Sequence, residues 1–349
     1  MTEPPQQARR YSRVGLYVPV FAVLLLAIGW SIFWYISATI TGREIGEWIK
    51  READDGRIWT CPDRSVGGYP FRVEIVCNNP SFSGSAAGVA LTGKLARIHL
   101  VAQIYNPKLI IGEAEGPLEL GLPQEGGRTS ANWKLLQISV RGGPDALQRA
   151  SLVADRIEAS ATIANGRTFS ARADNLQVHV RRGTEEQHAY DFAFSSTNTV
   201  SADLDASTGI AAPAMLQFSG TVTQAHSIGG STIPQMLERW RMAGGSLVLD
   251  NAALVKASLN AQGIGTLHID GAHRLDGRID VTASGLAPVL QRYGIAPQLV
   301  DIGGLIGGIL SGGRAPAPRS GQLRLALTFD RGQLGLGPIR GLATLPPLY

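Results

Sequence analysis

The feature that most constrains this chain is a stretch without charged residues or histidine, Val14 to Ile40. A helix rises ~1.5 Å per residue, so about 20 apolar residues cross the roughly 30 Å hydrocarbon layer of a membrane. The 27 residues of this stretch are enough for that. We therefore predict a transmembrane helix over residues 14–40, with the aromatic residues near its end at the membrane interface: Trp30, Phe33, Trp34 and Tyr35.

A cleaved signal peptide is the alternative interpretation of this stretch. The apolar core of a signal peptide is usually about 7–15 residues long and is followed by a cleavage site of small residues. Ser37, Ala38 and Thr39 resemble such a site, but the apolar run before them is longer than a signal peptide needs. The length therefore favours a retained anchor.

The residues before the stretch predict its orientation. Arg9, Arg10 and Arg13 precede it, and Glu3 is the only acidic residue there. Because positively charged flanks stay in the cytoplasm, we predict a cytoplasmic tail over residues 1–13 and an extracytoplasmic domain after the span.

Composition limits what that domain can be. The chain has 44% hydrophobic and 17% charged residues, which is sufficient for a folded core. Its 42 glycines and 7% aromatic residues favour short strands and turns over a helical bundle. The net charge of +4 is small for 349 residues and the basic residues are scattered, so we expect no nucleic-acid partner.

Residues 41–60 form the predicted connection between the span and the domain. Within them, Arg43 to Asp55 has an apolar stripe that includes Ile45 and Trp48, opposite a charged face, as in an amphipathic helix. This helix has two possible partners: the first strands of the domain, or the membrane surface.

The two cysteines of the chain, Cys61 and Cys77, are predicted to form a disulfide. Their even number and the predicted oxidising compartment favour this pairing. Closing a loop of about 15 residues contributes roughly 3 kcal/mol in the chain-entropy model. No histidine lies between the cysteines to complete a metal site.

Residues 61–349 are predicted to be mainly β, because short alternating runs are separated by Gly, Asn or Pro. Asn165-Gly166 and Asp276-Gly277 are typical of two-residue type I′ hairpin turns. The clearest pair of strands flanks Asp330-Arg331-Gly332. Alternating apolar residues define the faces of several strands, including Leu136, Ile138 and Val140; Leu176, Val178 and Val180; and Leu323, Leu325, Leu327 and Phe329.

Few segments interrupt this β pattern. Helices are predicted at Pro234 to Ala243, where Gly244-Gly245 ends the pattern, and at Ala287 to Tyr293. The segment Gln298 to Leu310 is apolar but too short to span a membrane; it is predicted to be a buried helix, with a membrane-touching element as the alternative. Arg314 to Arg319 is predicted to be a flexible or extended connector.

The sequence contains none of the catalytic motifs that we searched for: HExxH, a P-loop, GxSxG and CxxC. The six histidines are spread over 175 residues, and His99, His179 and His268 fall on the polar side of predicted strands. We therefore expect no enzyme, no catalytic residue, no metal site and no cofactor.

One stretch resembles a known family. The sequence RIWTCPDRSVGGYPFRVEIVCNNP, which follows the span and the Trp-bearing helix, is similar to the N-terminal signature of the domain-of-unknown-function family 2125, single-span bacterial envelope proteins without assigned activity. The motif residues are Trp59, Gly68, Tyr69, Pro70, Phe71 and Arg72. Two later stretches, LHIDGAHRLDGRIDVTASGLAPVL and LTFDRGQLGLGPIRGLATLPPLY, resemble the same family and, more distantly, AsmA-like envelope proteins.

The resemblance implies a fold and a function. It implies a long curved antiparallel sheet, as a half-tube or a sandwich, with a few short helices after the transmembrane helix. It also implies a single-pass protein of the bacterial inner membrane with its C-terminal domain in the periplasm. AsmA-like proteins imply a groove for lipid acyl chains, for which we predict this lining: Ile279, Val281, Leu325, Leu327 and Phe329.

We therefore expect a non-enzymatic protein that binds or passes phospholipid or another envelope lipid, with other envelope proteins as further partners. Two alternatives remain. A scaffold of the cell envelope would have a sealed sheet without a groove, and a hydrolase of envelope polymers is disfavoured by the missing motifs.

Overall fold

The computed structural model describes residues 14–143, 146–183, 188–292, 322–337 and 339–349. Its first element is one continuous helix, α1 (Val14–Asp54), which contains the predicted span and continues without a break beyond it. The chain turns at Gly56, whose φ of +78° is typical of the left-handed residue that follows a helix end. The segment predicted as a connection over residues 41–60 is therefore the last part of α1 followed by the first strand.

The rest of the described chain is a 20-stranded antiparallel sheet with three short helices and a 3₁₀ turn. The strands of the first half are β1 Ile58–Thr60, β2 Asp63–Gly67, β3 Arg72–Asn78, β4 Ser81–Ala86, β5 Val89–Lys94, β6 Arg97–Gln103, β7 Asn106–Glu115, β8 Leu118–Leu122, β9 Gly127–Asn132 and β10 Leu135–Gly143. The remaining elements are β11 Ala146–Thr162, β12 Thr168–Arg182, β13 Tyr190–Ser201, α2 Ala202–Thr208, β14 Ala214–Val222, the 3₁₀ turn Ala225–Ser227, α3 Ile233–Met242, β15 Ser246–Lys256, β16 Leu259–Ile269, β17 Leu275–Ser284, α4 Ala287–Arg292, β18 Gln322–Asp330, β19 Gln333–Leu336 and β20 Ile339–Thr344.

The sheet begins as two ladders that merge. The main ladder pairs β2, β3, β6, β7 and β10, and the side ladder pairs β1, β4, β5, β8 and β9. Both ladders join β11, whose 17 residues pair with β10 near one end and with β9 near the other. From β11 onwards, each strand pairs with its neighbours in sequence as far as β20.

A crease separates the two ladders. It lies at matching positions along adjacent strands and passes through Asn79, Gly116-Pro117, Arg156 and Asn198. Asn79, Arg156 and Asn198 have φ near +50°, which interrupts regular strand pairing as a β-bulge does. Proline cannot donate a ladder hydrogen bond, so Pro117 suits the same position. The crease therefore divides β11 into one segment that pairs with the main ladder and one that pairs with the side ladder, and it continues into β13 at Asn198.

Helix α1 covers the first edge of the sheet. Ala38, Gly42 and Gly46 face the domain at a spacing of four residues, and Ala38 is only 8% exposed. A Cβ added to Gly42 would lie 3.6 Å from Val66, and one added to Gly46 would lie 3.7 Å from the Arg64 guanidinium. These small residues let α1 approach β2 closely, so that an otherwise unpaired strand edge is covered.

The predicted helices in the second half are confirmed by α3 and α4. Helix α3 begins at Thr232, whose hydroxyl accepts a hydrogen bond from the Gln235 N–H, and ends before Gly244. Trp240 is buried and donates a 2.7 Å hydrogen bond to the Thr223 carbonyl. Gly245 is required beside it, because a Cβ there would lie 2.2 Å from the Trp240 ring.

The hairpin predicted at Asn165-Gly166 is confirmed in position, but its predicted turn type is wrong. Residues Asn165-Gly166 do connect β11 and β12, but only Gly166 has a positive φ. The Ile163 N–H bonds to the Arg167 carbonyl at 3.0 Å, so three residues and not two form the loop. This arrangement needs a single glycine in the left-handed region, which is why Asn-Gly fits it as well as the predicted type I′ turn.

The turn predicted at Asp276-Gly277 is wrong. Both residues lie inside β17, and the connection from β16 turns four residues earlier, between Asp270 and Arg274. The Asp270 carboxylate accepts the Ala272 and Arg274 N–H groups and holds that turn. Gly277 instead permits close strand approach, because a Cβ there would lie 2.2 Å from a carbonyl oxygen of β16.

Several predictions lie outside the described residues: the tail 1–13 with its three arginines, the helix at Gln298 to Leu310, and the connector Arg314 to Arg319. The hairpin at Asp330-Arg331-Gly332 is described and confirmed, with Arg331 and Gly332 both at positive φ between β18 and β19.

Candidate functional site

The sheet carries two parallel rows of apolar side chains on one face. Residues directly opposite each other in an antiparallel sheet point to the same side, so register alone defines the rows. Row one passes through twelve strands and consists of Ile75, Leu100, Gly112, Ile138, Leu152, Val178, Phe194, Phe218, Ala252, Gly263, Val281 and Leu325. Row two, one pleat away, consists of Val73, Ala102, Ile110, Val140, Ala150, Val180, Phe192, Gly220, Leu249, Gly265, Ile279, Leu327 and Leu336.

These two rows together are called the apolar track. With neighbouring strands about 4.8 Å apart, twelve strands give the track a length on the order of 50 Å. Its members are hydrophobic side chains or glycine, without a charged or hydrogen-bonding side chain. Larger side chains of the track cover its glycines: a Cβ at Gly112 would lie 2.8 Å from Leu100, and one at Gly263 would lie 2.9 Å from Ile279.

Part of the apolar track is open to solvent. Ile110 is 44% exposed, Ile138 38%, Val140 36% and Phe218 38%. A fully sealed core leaves such side chains almost inaccessible, and a contiguous exposed apolar surface is typical of a binding site. The open portion lies on β7, β10 and β14.

The five residues predicted to line a groove fall on this same face. Ile279 pairs with Leu327, Val281 pairs with Leu325, and Phe329 lies one pair further along β18. All five are partly buried. The structure therefore brings the predicted residues together and places them at the β17–β18 end of the track. The prediction missed the longer portion on β3 to β14, although the shared face of Leu136, Ile138 and Val140 was visible in the sequence.

The opposite face of the sheet is polar. Gln137 on β10 donates a 2.6 Å hydrogen bond to Glu113 on β7, and His179 on β12 lies 3.0 Å from the Ser151 hydroxyl on β11. These residues alternate along their strands with members of the apolar track. The sheet is therefore two-sided, with its apolar residues concentrated on one surface.

The family-motif residues lie where α1 meets the sheet. Gly68 to Phe71 form the β2–β3 connection and Arg72 begins β3; these five residues are called here the joint loop. Gly68 has a φ of +96°, and a Cβ there would lie 2.8 Å from the Arg72 carbonyl oxygen, so only glycine fits. The motif therefore specifies a compact turn.

Three hydrogen bonds fix the joint loop to α1. Trp30 donates to the Pro70 carbonyl at 2.8 Å, and Trp34 donates to the Arg72 carbonyl at 2.7 Å. The Tyr69 hydroxyl lies 2.8 Å from the Ser31 hydroxyl. The indoles thus satisfy two backbone carbonyls, and the height of the loop along the helix is set by these contacts.

Further along α1, an aromatic stack holds the side ladder. The Trp48 ring lies 5.7 Å from the Trp59 ring, which lies 4.5 Å from the Phe82 ring. Trp59, the first family-motif residue, is therefore the middle of this stack. The apolar stripe of the predicted amphipathic helix therefore packs on the first strands of the domain, which is the first of its two predicted partners.

The disulfide between Cys61 and Cys77 is confirmed. It links the connection between β1 and β2 to β3, beside the crease. Cys77 is buried on the same face of β3 as Val73. The bond therefore fastens the edge segment that α1 covers to the first strand of the apolar track.

The charged side chains that cluster in the described residues form ion pairs and hydrogen bonds that hold elements of the fold together. The Lys256 ammonium is fully buried and donates to the Asp205 carboxylate and to the Ala212 carbonyl, both at 2.5 Å. Near the last residue, Arg241 and then Tyr349 hydrogen-bond Glu238 and lower the pKa of that carboxyl to about 2. Within the described ranges, no three His, Cys, Asp or Glu side chains are grouped as metal ligands.

Two depressions lie on the side ladder and on the neighbouring segments of β11, β12 and β13. One has a volume of about 650 Å³ and is lined by residues that include Ser81, Thr92, Lys94 and Arg128. The other, about 690 Å³, is lined by residues that include Glu158 and Arg172. Their walls mix polar and apolar side chains, with Phe82 and Leu120 in the first and Ala159 and Val200 in the second, and they are separate from the apolar track.

The geometry defines a class of protein: an open antiparallel sheet with one apolar face, preceded by a helix that is long and apolar enough to cross a membrane. The chain belongs to the DUF2125 family, which is described as an uncharacterized protein conserved in bacteria; the family model matches residues 34–346. The match includes the joint loop and the apolar track. A search of curated proteins found no match to the chain.

Proposed function

We propose that this protein is a non-enzymatic component of the bacterial envelope that binds lipid-like apolar ligands on the apolar track. In this proposal α1 anchors the protein in the inner membrane and the sheet lies in the periplasm. The ligand class is one with long apolar chains, such as phospholipid.

The observation that carries the proposal is the two-row register of the apolar track. Burying apolar surface is favourable by about 25 cal/mol of free energy for each Å² removed from water. A track on the order of 50 Å long with exposed Ile, Val and Phe side chains therefore favours an apolar ligand. Monomeric soluble proteins rarely expose contiguous apolar patches above a few hundred Å² without a binding role. An acyl chain supplies contact along such a track without requiring hydrogen bonds from it.

Two features support a retained anchor. The small residues Ser37 to Thr39 lie in the middle of α1, and Ala38 is buried against the domain. Cleavage there would divide a helix whose remaining turns cover the sheet edge. The three arginines before the apolar stretch support the periplasmic placement of the sheet.

Two adjacent residues provide a matched test. Ile110 and Ile111 are neighbours on β7 and are both 44% exposed, but Ile110 belongs to the apolar track and Ile111 points to the opposite face. We would extract the full-length protein in detergent, purify it and quantify bound lipid by mass spectrometry for the natural protein, Ile110→Asp and Ile111→Asp.

The proposal expects lipid on the natural protein and on Ile111→Asp, with a marked loss on Ile110→Asp. Equal melting temperatures of the two variants would show that the loss is local. If the natural protein retains no lipid, or if both variants retain it equally, the scaffold function is favoured and the lipid-binding proposal is rejected.

A further inference from the structure

We propose that the joint loop and the neighbouring β6–β7 turn form a membrane-contacting foot. The foot consists of Tyr69, Pro70 and Phe71 with Tyr105, and its partner is the interfacial layer of the membrane that α1 spans. This inference rests on the anchoring part of the proposed function and goes beyond it, because it fixes how the sheet meets the lipid.

The depth of the foot follows from its attachment to α1. A membrane span that begins at Val14 requires about 20 residues to cross the hydrocarbon layer, so it reaches the far boundary near Trp34. Trp30 and Trp34 are the residues that hydrogen-bond the joint loop. The loop is therefore held at the level at which amphipathic aromatic rings prefer to lie.

The exposed side chains of the foot suit that level. Phe71 is 61% exposed, Tyr69 56% and Tyr105 68%. The β6–β7 turn is adjacent to the joint loop, because the Ile104 N–H donates to the Phe71 carbonyl at 3.1 Å. In water, these rings expose apolar surface. At the interface the rings enter the lipid and the Tyr105 hydroxyl faces the headgroups, while the Tyr69 hydroxyl is already paired with Ser31.

The backbone carbonyls in and next to the foot are hydrogen-bonded, which suits a poorly hydrated layer. The carbonyls of Pro70, Phe71 and Arg72 each accept a hydrogen bond, from Trp30, Ile104 and Trp34 respectively. Unpaired carbonyls in such a layer cost free energy, so this pairing lowers the cost of insertion.

The position of the foot determines where lipid meets the apolar track. Phe71 is two residues before Val73, which begins row two on β3. From the foot, β2 runs beside α1 away from the apolar half of the helix, because Val66 lies beside Gly42 and Arg64 lies beside Gly46, one turn further along α1. The end of β3 at which row two begins therefore lies next to the lipid layer, and the later strands lead from there to the open portion of the track on β7, β10 and β14.

Fluorescence quenching can test this placement in the full-length protein. The described cysteines are both in the disulfide, so an introduced cysteine can be labelled alone. We would label Phe71→Cys with nitrobenzoxadiazole in vesicles of phosphatidylethanolamine and phosphatidylglycerol, with nitroxide-bearing lipids as quenchers. The matched control is Ile264→Cys, which is 58% exposed on β16, and Leu24→Cys reports the span itself.

The proposal expects quenching of the label at position 71 by nitroxides near the glycerol backbone and no quenching at position 264. It also expects quenching at position 24 by nitroxides deep in the acyl chains. Quenching at 24 without quenching at 71 would reject the foot and leave the anchor intact. No quenching at 24 would reject the anchor, and the foot with it.

Discussion

A charge scan of the apolar track distinguishes an open surface from a sealed core through the free energy of unfolding. The informative substitution is Ile138→Asp, in row one on β10. Fully burying an isoleucine contributes about 1.5–3 kcal/mol, and Ile138 is already 38% exposed. The substitution therefore removes a little over half of that contribution, about 1–2 kcal/mol, while the new carboxylate keeps contact with water.

Ala154 provides the benchmark for a sealed position. It lies on β11 between Leu136 and Leu176 and is 0% exposed. An aspartate there would be buried without a cationic partner, for which we expect a loss of about 4 kcal/mol or more. The two substitutions should therefore differ by at least about 2 kcal/mol.

Urea unfolding of the detergent-solubilised protein, followed by tryptophan fluorescence, measures both values. The midpoint should fall slightly for Ile138→Asp and strongly for Ala154→Asp, with similar slopes. If Ile138→Asp lowers the midpoint as much as Ala154→Asp does, the apolar track is a sealed core and the reasoning from exposure is wrong.

Three further predictions concern topology, the disulfide and pH. Alkaline phosphatase fused after Tyr349 should be active, whereas an active cytoplasmic reporter at that site would reverse the orientation. Thiol labelling of denatured, unreduced protein should find no free Cys61 or Cys77, and reduction should lower stability by about 3 kcal/mol, which urea unfolding with and without reductant would measure. Because Arg241 and Tyr349 lower the pKa of Glu238 to about 2 from 4.5, the stabilisation by its carboxylate is present above about pH 4.5 and is lost as the pH falls towards 2. The stability difference between the natural protein and Glu238→Gln should therefore shrink over that interval in acid unfolding, and a constant difference would contradict it.

Local sequence patterns were sufficient for most of the elements. Alternation from Leu323 to Phe329 predicts β18, and Pro234 with Gly244 brackets a helix, because both signals depend on residues that are close in the chain. Register depends on pairings between strands far apart in sequence, so the continuity of the apolar track from Ile75 to Leu325 could not be derived from spacing.

The errors have local physical causes. Asp-Gly at 276–277 has the composition of a turn, but Asp270 organises a turn earlier through its carboxylate. The crease was also missed, because a left-handed arginine at position 156 has no compositional signal. By contrast, the spacing of four residues from Trp30 through Trp34 and Ala38 was visible and would have predicted one docked helix.

The two ends of this sheet differ in their capacity to recruit another strand. Helix α1 occupies the β1–β2 edge, whereas β20 at the opposite edge pairs only with β19 in the described part of the chain. A free edge can hydrogen-bond to a strand from another molecule. Head-to-tail addition would need both edges, and it would generate an open filament. Because one edge is blocked, edge pairing between copies can only join β20 to β20, which closes after two molecules and cannot propagate.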